Sequence, residues 1–261
     1  MAAVPLVTPG SAEEPAVRDR TEALSLLAHR VRPARLARED LLVLKPALAD
    51  LIGAPGLRRG SVVVVEAAPA AGASSKAVPS GATSVALGLF AGPVSAGAYG
   101  AVVGLPDLGL LAAKELGVAL DHLVLVPAPD HKAPAVVAAL LEAFDLVLVR
   151  FPVAPAPAIA RRLIARARER RSVLVLAGPG TGTGVWSGAP SLSWPEPPEV
   201  RLVARCCAYE GIRQGSGHLL RRRVEVVARR RRVVPAVITR TLVFEGAEIA
   251  LAPLAGAQCR R

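Results

Sequence analysis

The runs Val62-Val63-Val64-Val65 and Leu146-Val147-Leu148-Val149 are apolar at every position. A strand with one face in water alternates apolar and polar residues. An unbroken apolar run therefore fits a strand covered on both faces, as in a parallel sheet with helices above and below it. Similar runs recur along the chain and predict strands at Ser61–Val65, Tyr99–Val103, His122–Val126, Asp145–Val149 and Val173–Ala177, with helices between them. One helix, Leu108–Leu116, should stop at Gly117, and another, Ala133–Phe144, carries Val136, Val137, Leu140 and Leu141 on one side. The series predicts an α/β fold with a mostly parallel sheet.

Outside that series the chain changes character twice. Ala16–Arg32 places Val17, Leu24, Leu27, Ala28 and Val31 at helical spacing behind the helix-start residues Ser11, Glu13, Glu14 and Pro15, and a second short helix, Pro46–Ile52, should end at Gly53. These two suggest an N-terminal helical arm over residues 1–55, leading into a core over 56–246. After Ala177, residues 178–198 are rich in Gly, Pro, Ser and Thr and read as a long loop. Beyond it, Val200–Ala208, His218–Val227 and Ala236–Phe244 read as antiparallel strands extending one edge of the sheet. Residues 247–261 form a tail expected to be mobile alone, with Ile249, Leu251 and Leu254 as apolar anchors for a partner's groove and Arg260 and Arg261 for its acidic rim.

Composition narrows the function classes. The three cysteines, Cys206, Cys207 and Cys259, make no disulfide framework, and His29, His122, His131 and His218 are too scattered for a zinc site. The absence of a long apolar segment or a leader pattern predicts a soluble, cytoplasmic protein without membrane partners. The net charge is +11, and residues 201–261 hold 13 arginines against four glutamates, which places +9 of it in the last quarter. Arg221-Arg222-Arg223 and Arg229-Arg230-Arg231-Arg232 flank Val224–Val227 and are expected at the two ends of that strand. They read either as charges protecting a solvated edge or as a contact for a DNA backbone or an acidic partner.

Several blocks together carry a family resemblance. Gly56-Leu57-Arg58-Arg59-Gly60, Ser80-Gly81-Ala82-Thr83-Ser84, Lys114-Glu115-Leu116-Gly117-Val118 and Asp121-His122-Leu123 resemble, in order, the start of the bacterial RecA core. The likeness continues through Phe144–Val149 and Val200–Arg205 and closes at Thr241-Leu242-Val243-Phe244-Glu245-Gly246. It implies a RecA-like P-loop core.

The residues that would make such a core an ATPase are missing. A phosphate loop wraps phosphates with backbone N–H groups, neutralises them with a lysine and holds magnesium with the next hydroxyl. Here Lys76 stands at the first glycine position, Ser80, Gly81 and Thr83 remain, and Ala82 replaces the lysine. A register that uses Lys76 instead puts Ala77 at the hydroxyl position and Pro79 at the helix start. Arg150 stands where the strand-end aspartate would hold magnesium. A fixed cation 4 Å from a unit positive charge costs about 4 kcal/mol at an effective dielectric near 20, and about twice that beside a divalent ion. The water-activating carboxylate maps to Leu105, with Asp107 two residues on, and the sensing glutamine maps to Pro179. No cofactor is expected, ATP included, beyond weak anion binding at Ser80–Thr83, and no enzymatic activity.

Within the RecA-like group the short arm and degenerate motifs resemble the actinobacterial ImuA-type (ImuA-prime) accessory of a mutagenic translesion-synthesis cassette. That resemblance implies a nucleoid-associated protein of the DNA-damage (SOS) response. Its implied partners are an ImuB-like homologue of Y-family polymerases and an error-prone replicative-type polymerase, with RecA or a second copy as further candidates. In RecA proteins the arm packs on a neighbouring protomer, which makes Leu24 and Leu27 candidate partner contacts. The alternative is a DNA-binding recombination or repair protein with residual nucleotide binding. Trp186 and Trp194 in the long loop either stack on bases or pin the loop, and Pro190, Pro195, Pro197 and Pro198 favour pinning.

Overall fold

The computed structural model describes residues 40–68, 80–178, 194–213, 216–231 and 237–252. The expected arm helix with Leu24 and Leu27, and also Lys76, Trp186, Arg232 and Leu254, lie outside the described residues.

Among the described residues nine strands form one sheet, in the order β11-β10-β9-β8-β3-β7-β6-β4-β5. β3 (Val62–Ala67), β4 (Gly100–Val103), β5 (Leu123–Val126), β6 (Leu146–Val149), β7 (Val173–Ala177) and the start of β8 (Val200–Arg213) run parallel. β9 (Ser216–Arg230), β10 (Val237–Glu245) and β11 (Glu248–Leu251) continue the sheet antiparallel. β3, β4, β5, β6 and β7 each begin and end within two residues of the positions expected from the sequence.

Each fully apolar strand feeds two cores. Val63, Val65, Leu146, Leu148, Val173 and Val175 point to one face, where α1 (Pro46–Ile52), α2 (Ala82–Ser95) and α3 (Leu110–Glu115) add their apolar residues. Val62, Val64, Val147, Val149, Leu174 and Leu176 point to the other, under α4 (Ala133–Ala143) and α5 (Pro157–Arg170). The side-chain period of two shares each run between the faces, so no position along it is free to be polar. α5 meets only one layer and is accordingly amphipathic: Ala160, Leu163, Ile164 and Ala167 are buried, while Arg161, Arg162, Arg166, Arg168 and Arg170 lie off that face. Among the described residues no helix is long and apolar enough to cross a membrane.

Two expected boundaries differ from the structure. The chain divides between Asp40 and Leu41, not after residue 55. α1 starts at Pro46 and stops at the left-handed Gly53 as expected, but its Leu48, Leu51 and Ile52 are fully buried in the first core. It is framed by a two-stranded antiparallel sheet in which β1 (Leu41–Val43) pairs with β2 (Gly56–Arg58) across the anticipated boundary. Lys45, just before α1, donates to the carbonyls of Leu116 and Ala247, tying three distant segments together, and its burial lowers its pKa below the ordinary lysine value. The tail also begins later than expected. β11 pairs with β10 through Leu242↔Leu251 and Phe244↔Ile249, and Ile249 is buried in the first core. Ile249 and Leu251 are therefore sheet residues rather than free anchors, because β10 supplies the hydrogen bonds and α2 the apolar cover that a lone tail lacks.

Truncating a fully buried leucine costs about 2–5 kcal/mol. Leu48→Ala should lower unfolding stability in urea by that amount, whereas a residue on a detached arm would leave the midpoint unchanged.

Candidate functional site

Of the residues that the sequence singles out, the described phosphate-loop positions, Arg150 and Leu105 lie at the carboxyl ends of the parallel strands. Ser80, Gly81, Ala82 and Thr83 lie at the start of α2, Arg150 directly follows β6, and Leu105 follows β4. β7 separates β3 from β6 in the sheet.

The start of α2 is already committed. A phosphate-binding helix leaves its first N–H groups to the ligand. Here Ser80 Oγ accepts the Ala82 N–H at 3.1 Å. Gly81 caps the helix at φ 77°, a left-handed conformation that glycine adopts without strain. A Cβ on Gly81 would lie 2.6 Å from Cγ2 and 3.0 Å from Cγ1 of Val224, so β9 packs directly on this end of the helix. One turn on, the Arg222 guanidinium donates to Ser84 Oγ and sits 5.6 Å from the centroid of the Phe244 ring. A cation thus stands at the helix pole that ordinarily attracts anions.

Arg150 is fixed beside β4. Its Nε donates to the Gly104 carbonyl at 3.0 Å, and its backbone N–H continues the ladder to Val103. A cavity of about 280 Å³ lies here, lined by Gly104, Pro106, Pro127, Pro129, Asp130 and Arg150 among others. Leu105, at the position mapped for the water-activating carboxylate, is buried in the first core. Among the described residues no group of three His, Cys, Asp or Glu side chains is placed to hold a metal ion.

Sequence reasoning missed an ion pair with a buried carboxylate at this end of the sheet. Glu66, at the carboxyl end of β3, is only 6% exposed, and its Oε1 accepts from Arg201 on β8 at 2.7 Å. A Cβ on Gly178 would come within 2.4 Å of Glu66 Cγ, so the carboxylate's stem is enclosed from the β7 side as well. The signal available in the sequence is a lone glutamate ending an otherwise apolar strand, with an arginine in the strand that becomes its neighbour.

The arginine clusters need correction. Arg221, Arg222 and Arg223 do not mark the end of a short strand. They lie inside β9, which runs from Ser216 to Arg230 between β8 and β10 and so is not an edge. Arg221 pairs with Glu245 and Glu210, and Arg223 with Glu210, so carboxylates on both neighbouring strands face these arginines. Arg221 holds the Glu245 carboxyl below its ordinary pKa, although both groups are solvent-exposed. Burial and the neighbouring Cys206 push the Tyr209 phenol well above its ordinary pKa. Arg229 is exposed, and Arg230 reaches the Gly53 carbonyl at 2.8 Å. Trp194 stacks against Phe151, with ring centroids 6.1 Å apart, and joins the second core, which fits the pinning role.

The contact between Gly81 and Val224 can be measured. Gly81→Ala adds a left-handed penalty of about 1–2 kcal/mol and an overpacking cost of about 1–3 kcal/mol. The expected loss in urea unfolding is therefore about 2–5 kcal/mol. Adding Val224→Ala should recover part of the overpacking cost in a double-mutant cycle, whereas strictly additive losses would show that the two residues do not meet.

A family model described as the MT3502 N-terminal domain matches residues 50–187, which run from within α1 past the end of β7. A Mycobacterium tuberculosis protein, uncharacterized protein Rv3395c, is 37% identical over 134 residues. The alignment covers 51% of this chain and 59% of that protein, so it spans less than two thirds of the relative's length. With more than half of its residues matched by the family model, the chain belongs to the MT3502 N-terminal domain family.

Proposed function

We propose that this protein is a RecA-like accessory factor of DNA-damage tolerance that hydrolyses no ATP and works by binding protein partners. The observation that carries this reading is the occupied start of α2: Ser80 takes the Ala82 N–H, Val224 packs on Gly81, and Arg222 reaches Ser84. A nucleotide phosphate would have to displace a buried valine from the helix end to use these backbone groups. Arg150 adds an independent obstacle, since its fixed charge disfavours a divalent ion beside β6. The parallel sheet, with β3 leading into α2 and β7 between β3 and β6, is compatible with a RecA-like core.

The ImuA-type assignment gives the function its context: translesion synthesis, with an ImuB-like polymerase homologue and an error-prone replicative-type polymerase as partners. It rests on the sequence blocks quoted above. The competing reading as an active recombination ATPase requires the lysine and aspartate that Ala82 and Arg150 replace.

Purified protein should release phosphate from ATP with magnesium no faster than a protein-free blank, and Ala82→Lys should not change that. A rate within tenfold of an ordinary RecA-type ATPase would overturn the reading. Partner binding is tested by truncating after Ala252, which keeps β11 in place. The truncated chain should melt like the full one but lose co-purification with the ImuB-like partner; undiminished co-purification would exclude residues 253–261 as the contact.

A further inference from the structure

A cleft of about 570 Å³ opens at the amino end of β3, at the opposite end of the sheet from Ser80 and Arg150. Four segments distant in sequence build it: the end of β2 and the turn after it bring Arg58 and Arg59, α5 brings Arg168, the stretch before β8 brings Glu196 and Glu199, and the end of β9 brings Arg230 and Arg231. Five guanidinium groups thus face two carboxylates.

Internal pairing accounts for some of these charges. Arg59 is bound to Asp145 at 2.5 Å, and Arg168 to Glu196 at 2.5 Å. Arg230 donates to the Gly53 carbonyl, which orients the side chain but leaves its charge unmatched. The Arg58 and Arg231 side chains are exposed and have no ion-pair or hydrogen-bond partner among the described residues. Helix-end electrostatics explain why Arg168 stands near the carboxyl end of α5. They do not explain Arg58, Arg230 or Arg231, which stand at two strand ends.

We infer that this cleft binds the phosphate backbone of a nucleic-acid strand without reading its sequence. Three features select that ligand. Every cation in the lining is an arginine, whose planar fork fits phosphate oxygens in a bidentate way. No lining residue is aromatic, so bases have no stacking platform and contact is confined to the backbone. The net charge of +11 gives the whole molecule a field that draws polyanions toward such a cleft. The site uses none of the phosphate-loop positions, so it stands or falls separately from the accessory-protein reading. It also moves the nucleic-acid contact away from Arg221 and Arg223, which pair with Glu245 and Glu210, and from Arg222, which is held by Ser84 and the Phe244 ring, to Arg58, Arg230 and Arg231.

The test is fluorescence anisotropy of a labelled random-sequence oligonucleotide titrated with the full chain at several salt concentrations. With about three phosphates neutralised, log affinity should fall against log salt with a slope of about −2 to −3. Arg58→Glu with Arg231→Glu should weaken binding at least tenfold and flatten that slope by about 2. The matched control, Arg161→Glu with Arg162→Glu, makes the same charge change on the exposed face of α5 and should weaken binding less than threefold. Melting curves check folding, and the milder Arg58→Gln with Arg231→Gln pair replaces the reversal if that variant melts early. Equal losses in the cleft and control pairs would mean diffuse attraction and would overturn the proposal. So would no wild-type binding at low salt, or equal competition by a polyglutamate peptide of matched charge.

Discussion

The rest of the structure depends on the burial of β3 on both faces. It lies between β7 and β8, and its valines alternate between two cores built by different sets of helices. At about 1.5–3 kcal/mol for each fully buried aliphatic side chain, such strands supply much of the drive for folding, and their central place fixes where other elements can go. α2 crosses one face directly after β3, so its amino end meets the first antiparallel strands added to the sheet. The same packing that stabilises the sheet seats Val224 against Gly81 and fills the space where a phosphate loop would do its chemistry.

Opposed charges extend the sheet where apolar cover runs out. In the outer half of β9, Arg221 and Arg223 meet Glu210 on β8, Arg221 also meets Glu245 on β10, and Arg205 on β8 pairs with Glu225 two residues further in. Exposed pairs of this kind contribute little singly, about 0–1 kcal/mol. Their geometric effect is larger, because a row of like charges on one strand is tolerable only if both neighbours supply the opposite sign at the right register. The arginine-rich composition of the last quarter is thereby divided into cations that hold strands together and cations left facing solvent.

That division was not legible in the sequence. The central strands were, because a run such as Val62–Val65 can satisfy few other environments, and the α1 boundaries followed from Pro46 and Gly53. The place of α1 was missed because a seven-residue helix is too short for its burial to show as periodicity; Leu48, Leu51 and Ile52 take their meaning from α2 and the C-terminal strands. β11 was missed for a related reason, since four residues after a turn look like a tail until β10 is seen to pair with them. At the candidate site, the losses at Ala82 and Arg150 could be read position by position. The filling of the helix end by Val224, the Glu66–Arg201 pair and the cleft at Arg58 and Arg231 each join residues more than 100 positions apart, and local patterns carry no trace of such encounters.

The placement of β3 between β7 and β8 has a consequence for how the chain reaches this state. Val62 pairs with Leu174 and Val63 with Val200, so the strand at the centre of the sheet is synthesised more than a hundred residues before either neighbour. At roughly 5–20 residues per second, β3 leaves the ribosome on the order of ten seconds ahead of the partners that complete its hydrogen bonds. During that interval it is an apolar, β-branched segment with two open edges, the kind of surface that aggregates or recruits chaperones. The feature that makes the finished sheet stable is therefore the one that makes its assembly slow and dependent on the last third of the chain.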